Sequence, residues 1–295
     1  MNATVAVTGA TGFIGKRLVA LLESQGKRVL CINRPTYDLL NPQSIRELFS
    51  VEKPSTVFHL AATGVTHDRA HDVSVIDENS RMMSNLLEAC YANTTFVIAG
   101  SMAEYGASGI LREDGPFQPQ TAYAIAKLAA NQIALSYGSK KHAIRIARLF
   151  GVYGPGEPAF RLFPSLLRNI KAGRSMPLSD GMQTRDFVHV DDVCDGLCRL
   201  AFSQLPSNPL EVNLGTGVGV RIRDVATHLC EALGGDLSLL QFGDRERSPG
   251  DADVLVADTE RLERLLDWVP PSRLNGQLSL ASFTGTEGRS LDTSR

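Results

Sequence analysis

Residues Thr8-Gly9-Ala10-Thr11-Gly12-Phe13-Ile14-Gly15 stand between a short apolar run, Val5–Val7, and a stretch with helical spacing, Ile14–Ser24. A glycine-rich turn joining a strand to a helix constrains the fold of this 295-residue chain more than any other feature. The glycines permit a tight turn, close approach of backbone to a ligand, and close packing of helix on sheet. The helix start then offers free N–H groups and a partial positive charge, which suits a pyrophosphate. The spacing alone is weak evidence, and the flanking strand and helix supply the context it needs. A nucleoside-triphosphate loop would require glycine at position 10 and Ser or Thr at position 17. Ala10 and Arg17 stand there instead, so the turn reads as a dinucleotide loop.

The rest of the first half repeats this alternation. Arg28–Ile32, Thr56–Leu60 and Phe96–Ala99 read as further strands, separated by the helical stretches Pro42–Phe49, Ser80–Tyr91 and Ala122–Tyr137. Strands regularly separated by helices predict an α/β, doubly wound parallel sheet of Rossmann type, with ligands outside the carboxyl ends of its strands. Ile144–Phe150 is another strand, and after it the texture changes. A loop-like Gly151–Gly156, an amphipathic Phe160–Lys171, a strand-like Phe187–Val190 and Leu210–Leu214, and helices at Ile222–Leu233 and Thr259–Leu266 follow. The expected division is a dinucleotide-binding domain over 1–150 and a smaller, mainly substrate-binding domain over 151–283. Segments near 184–216 are expected to return to the first domain, and 284–295, polar and small, reads as a disordered tail.

Hydrophobic residues make up 43% and charged residues 21%, with a formal charge of −2. That balance gives no reason to expect nucleic acid or an anionic membrane as partner. No run approaches the ~18 apolar residues of a membrane span, nor does the N-terminus resemble a cleavable leader. The five cysteines form no disulfide-scaffold pattern. A reduced, cytoplasmic protein is expected.

After the second strand, a fold specific for NAD usually places a carboxylate on the ribose 2′-hydroxyl. This chain has Asn33-Arg34. A guanidinium there can meet a 2′-phosphate, which favours NADP(H) and leaves NAD(H) possible. The alternative is that Arg34 is simply solvated.

Tyr123 and Lys127 lie four residues apart, on one face of the predicted helix. A phenol ordinarily titrates near 10, and a neighbouring ammonium is expected to lower that value toward general acid–base use. Ser101 follows the strand Phe96–Ala99 at its carboxyl end, where its hydroxyl can hydrogen-bond a substrate oxygen as charge develops. Together the three side chains can surround one carbonyl or carbinol carbon.

With these residues assembled, the chain resembles an extended short-chain dehydrogenase/reductase of the NAD-dependent epimerase/dehydratase family, over nearly its whole length. The marks are Thr8–Gly15, Phe58–Ala62, Gly100–Gly106 with Ser101, Tyr123 with Lys127, Arg148–Gly156 and Thr184–Val193. The resemblance implies that Lys127 also holds the nicotinamide ribose. It implies that Asp38 and Leu39 lie by the adenine, that Leu60, Ala61 and Ala62 line the cofactor, and that Phe150 flanks the nicotinamide. It places Ser101 and Met102 at the substrate, with Arg185 and Arg247 gripping the diphosphate of a nucleotide-sugar; for each arginine the alternative is a structural salt bridge. Met102 and Ala103 stand where dehydratases carry an acidic pair, which argues against dehydration. Gly151 replaces the asparagine usual in its motif.

Weaker signals have plain readings. His67 and His71 have metal-ligand spacing but suggest no third ligand, so no metal is expected. Cys194 and Cys198 read as core, Asp191 and Asp192 as a helix cap, and Asn79 as either a helix start or a support for backbone near the site. The nearly all-apolar Ala122–Tyr137 needs cover on two sides, and a homodimer through it is expected. Three functions remain: an NADPH-linked reductase of a nucleotide-diphosphate 4-keto-6-deoxy sugar, an epimerase with tightly held NAD, and a non-catalytic dinucleotide sensor. The complete Ser101–Tyr123–Lys127 set argues against the sensor, and Arg34 favours the reductase.

Overall fold

The computed structural model describes residues 4–66, 69, 71–205, 209–247, 250–274 and 280–284. Its first half runs β1 (Thr4–Thr8), α1 (Phe13–Ser24), β2 (Arg28–Ile32), α2 (Pro42–Glu52), β3 (Thr56–His59), α3 (Ser74–Ala89), β4 (Thr95–Ser101), β5 (Gly109–Leu111), α4 (Ala122–Ser136) and β6 (Ala143–Leu149). β7 (Gly151–Tyr153), α5 (Leu162–Lys171), β8 (Met176–Leu178), β9 (Thr184–His189), α6 (Val190–Phe202) and β10 (Leu210–Leu214) follow. The chain continues through β11 (Gly219–Arg221), α7 (Ile222–Ala232), β12 (Leu240–Phe242), β13 (Val254–Ala257), α8 (Glu260–Leu266) and α9 (Ala281–Thr284).

Alternation along the strands builds the main sheet. Val5, Val7, Val97 and Ala99 face one core with Leu18 and Leu22 of α1 and Val193 and Leu197 of α6. Ala6, Phe96, Ile98, Ile144 and Ile146 face the other, with Ile45 and Phe49 of α2, Leu86 of α3 and Ala130 of α4. Successive side chains point to opposite faces, so strands covered on both sides read as continuous apolar runs. The six strands are parallel, in the order β10-β6-β4-β3-β1-β2. This is a doubly wound Rossmann sheet whose order reverses between β1 and β3, the crevice where such sheets take ligands.

A second sheet, β11-β9-β13-β5 with β7 beside β9, is assembled from both halves of the chain. β5 leaves the first half to join it, while β10 and α6 return to the main sheet and its core. A third core gathers Phe163 and Leu166 of α5, Leu229 of α7, Leu240 of β12, Tyr153 and Phe283.

Several boundaries differ from the sequence reading for local reasons. α3 begins at Ser74, not Ser80, because Asp72 accepts from the Ser74 N–H at 2.9 Å and Val75 is buried. The cap of α6 is His189, whose ring accepts from Asp191 N. Asp191 and Asp192 occupy the first turn and bind Arg17 and Arg273. Their expected capping role is therefore corrected; charge favourable to a helix start remains. Cys194 and Cys198 are buried in the core. His67 and the tail beyond Thr284 lie outside the described residues. No helix among the described residues is long and apolar enough to cross a membrane.

Candidate active site

The loop after β1 is shaped by close approach. Gly9 adopts φ +68°, and a Cβ there would sit 2.9 Å from Ala61 N. At Gly15 a Cβ would lie 2.1 Å from the Gly9 carbonyl oxygen, closer than any real contact. These two positions require glycine for conformation and space. The start of α1 has Gly12 at its cap, with no side-chain cap and no acidic residue in the first turn. Its N–H groups are left for a ligand.

The loop forms one wall of a cavity of about 800 Å³ at the strand-order reversal. Gly9, Thr11, Gly12, Phe13, Ile14 and Gly15 meet Leu60, Ala61 and Ala62 across it. Asn33, Arg34, Asp38 and Leu39 line one end, and Ser101, Met102, Tyr123, Lys127 and Phe150 also line the cavity. Asn33 Oδ1 is buried without a hydrogen-bond partner, and the Asp38 carboxyl accepts from Leu40 N at 3.0 Å. An uncapped helix start, an orphan acceptor and a cradle closed to any Cβ fit a dinucleotide, whose diphosphate the loop would hold.

Thr121 caps α4 by accepting from Ala124 N at 3.1 Å. That cap places Tyr123 in the first turn, and Lys127 one turn further on the same face. Lys127 is buried and donates to the Ala99 carbonyl at 2.9 Å, leaving two N–H bonds for other acceptors. Burial holds its ammonium down to about 8, opposed by the negative charge of Glu104. Tyr123 departs from the sequence expectation. Burial raises its phenol above the ordinary value, opposed first by a hydrogen bond with Ser101 and then by the charge of Arg161, and Glu104 adds to the rise. Desolvation is the largest of the influences on the phenol and sets the direction of its shift. Ser101 Oγ accepts from Ala103 N at 3.2 Å and hydrogen-bonds the Tyr123 phenol.

Arg185 and Arg247 do not line this cavity. Arg185 bonds Asp251 and its own strand's Thr184 carbonyl at 2.8 Å. Arg247 bridges Asp180 at 2.7 Å and Asp253 at 2.6 Å. Gly151 lies where a Cβ would come within 2.8 Å of the Asp186 carbonyl, so the pairing of β7 with β9 excludes an asparagine there. Asn79 is a buried support for backbone, accepting from Thr63 N at 3.2 Å.

Sequence reasoning missed Arg161 and Pro158, which line the cavity from the β7–α5 connection. No motif marks them; only their place after Gly154-Pro155-Gly156 could have drawn notice. It also missed Glu104, fully buried in the turn after Ser101, although its sequence position was inside a quoted motif.

A Rossmann crevice with a glycine loop, and a Ser–Tyr–Lys cluster at the strand ends, defines the class of nicotinamide-dinucleotide short-chain dehydrogenase/reductase enzymes. The chain belongs to the NAD dependent epimerase/dehydratase family, whose pattern matches residues 5–215. It is similar to a GDP-6-deoxy-D-talose 4-dehydrogenase of Aggregatibacter actinomycetemcomitans, 27% identical over 77% of this chain and 79% of the relative. Among solved structures it resembles UDP-glucuronic acid 4-epimerase from Bacillus cereus, in complex with UDP-glucuronic acid and NAD. That match has a TM-score of 0.83 and 26% identity, over 93% of this chain and 96% of the other. It also resembles RMD from Pseudomonas aeruginosa complexed with NADPH, with a TM-score of 0.82 and 26% identity over 94% and 96%.

Proposed function

We propose that this enzyme reduces the 4-keto group of a nucleotide-diphosphate 4-keto-6-deoxy sugar, with NADPH as cofactor. The observation that carries the reading is that Ser101, Tyr123 and Lys127 line the same cavity as the glycine loop and Arg34. A bound nicotinamide would supply the hydride. Tyr123 gives its proton to the substrate oxygen, and Ser101 donates a hydrogen bond to that oxygen as charge grows on it. Lys127 would hold the ribose of the cofactor through its remaining N–H bonds.

Arg34, exposed at the cavity rim, meets a 2′-phosphate through forked hydrogen bonds. The NADPH-bound relative supports this cofactor, and the talose 4-dehydrogenase supports chemistry at carbon 4 of a nucleotide-linked 6-deoxy sugar. For the substrate diphosphate, Arg161 is the better-placed cation. Arg185 and Arg247 can serve only by exchanging carboxylate partners for phosphate. A homodimer would cover α4, where Ile125 is exposed. The protein is assigned to the cytoplasm on the same reading.

A second reading, a 4-epimerase with retained NAD, is supported by the Bacillus cereus likeness. Cofactor titration separates the two. NADPH should bind at least about tenfold tighter than NADH, which is one bidentate contact's worth, and Arg34→Ala should narrow the gap. Equal binding of both by the unmodified protein contradicts the NADPH assignment. NAD carried through gel filtration would favour the epimerase.

A further inference from the structure

Glu104 is fully buried in the short turn after β4, and its carboxylate is used on every side. Oε1 accepts from Ser101 N at 2.7 Å and from Asn131 Nδ2 at 2.9 Å. Oε2 accepts from Arg148 Nε at 2.9 Å. Arg148, also fully buried, reaches on to Glu211 and lies 4.5 Å over the Phe117 ring. Gly100 makes room for the group, since a Cβ there would sit 2.9 Å from Oε1 and 3.0 Å from Asn131 Nδ2. A buried carboxylate is costly unless paired, and an apolar residue could fill this turn at no such cost.

We propose that Glu104 is a positioning residue for the reaction, fixing the backbone of Ser101 and supplying the negative charge that faces Lys127. The proposal rests on the reading of Ser101 and Lys127 given above. Groups from each neighbouring element define the field at Lys127. His59 on β3 is neutral, Tyr123 lies on the same helix, and Arg148 on β6 stands between two carboxylates, Glu104 and Glu211 on β10, so that group of three keeps a net negative charge. Burial disfavours the ammonium, and among the described residues the charge of Glu104 opposes that effect.

The test titrates Lys127 directly in cofactor-free protein. Its labelling by acetic anhydride across pH 6–10, read by mass spectrometry, reports the ammonium–amine equilibrium. The midpoint should lie near 8 in the unmodified enzyme and about one pH unit lower in Glu104→Gln, as expected for loss of a nearby buried charge. Glu104→Asp, which keeps the charge, should restore it. If Glu104→Gln alone does not fold, Arg148→Met is added so that no guanidinium is left unpaired by it, and the double variant is read against Arg148→Met alone, where its midpoint should again lie lower. An unmoved midpoint in the folded Gln variant, or between Arg148→Met with and without Glu104→Gln, overturns the proposal. Cofactor affinity that is flat with pH in the unmodified enzyme would count against the ribose role of Lys127 and leave the labelling result standing.

Discussion

The Thr8 hydroxyl lies 2.9 Å from Nδ1 of His59, across the gap between β1 and β3. It also accepts from Leu60 N and Ala61 N, each at 3.2 Å. A hydroxyl has two acceptor sites and one proton. Both acceptor sites are taken by amides, so the proton goes to His59, whose own hydrogen must then sit on Nε2. Burial, aided by the charge of Lys127, holds the ring down to about 3. One hydroxyl thus ties the phosphate loop to the opposite wall of the crevice.

Thr8→Val keeps the shape and removes these bonds. The variant should lose about 2 kcal/mol of stability, the scale for stranding buried polar groups, and should bind dinucleotide several-fold more weakly. Urea unfolding and fluorescence titration measure the two effects. Nitrogen NMR of the unmodified protein should show a neutral His59 protonated on Nε2 from pH 5 to 8. A charged ring at pH 6 would contradict the network.

Gly15→Ala tests the close approach on the other side of the loop. Its methyl would collide with backbone at Gly9, and backbone cannot swing aside as a long side chain can. The α1 start should shift, with dinucleotide affinity falling by about tenfold or more while the protein stays folded. Affinity within twofold of the unmodified protein would mean the loop has slack the distances deny.

Lys127 should be costly to the fold. Its ordinary value is 10.5, and in the folded protein burial lowers it to about 8. Below pH 8 the ammonium is present in both states, and the burial penalty is carried in full. Between about 8 and 10.5 the unfolded chain binds more protons, so stability contributed at this site rises with pH. The interval corresponds to about 3 kcal/mol. Lys127→Met should therefore be more stable than the unmodified protein at pH 7, by ~1–3 kcal/mol, and the gap should close toward pH 10. Urea unfolding of both proteins at the two pH values checks the sign. A less stable variant at pH 7 would show that the bond to Ala99 outweighs desolvation.

The main sheet was legible because burial on both faces writes β1, β3 and β4 as short, largely apolar runs between helical stretches. The candidate residues on the loop, on β4 and at the start of α4 were legible because each sits at a strand end or a helix first turn, and Lys127 because it follows Tyr123 by one turn. The start of α3 was not, since Ser74–Asn79 is mostly polar and its signal is an Asp72 cap two residues upstream. β5, three residues long, carries no period, and its partner β13 lies far along the chain. The Tyr123–Lys127 spacing was visible, but the hydrogen bond that turns Lys127 toward Ala99 depends on tertiary packing. So do the ion pairs of Arg185 and Arg247, whose carboxylates come from loops without a motif.

The central claim is that Tyr123 transfers the proton. Tyr123→Phe removes one oxygen and leaves the ring, so fold and NADPH affinity should stay within about twofold. The measurement is turnover in oxidation of NADPH by a nucleotide-diphosphate 4-keto-6-deoxy sugar, with unmodified enzyme and variant compared at saturating cofactor. Turnover should fall by about 10² to 10⁴, the range for losing a general acid. A folded Tyr123→Phe enzyme that binds NADPH normally and turns over at near the unmodified rate would contradict the account.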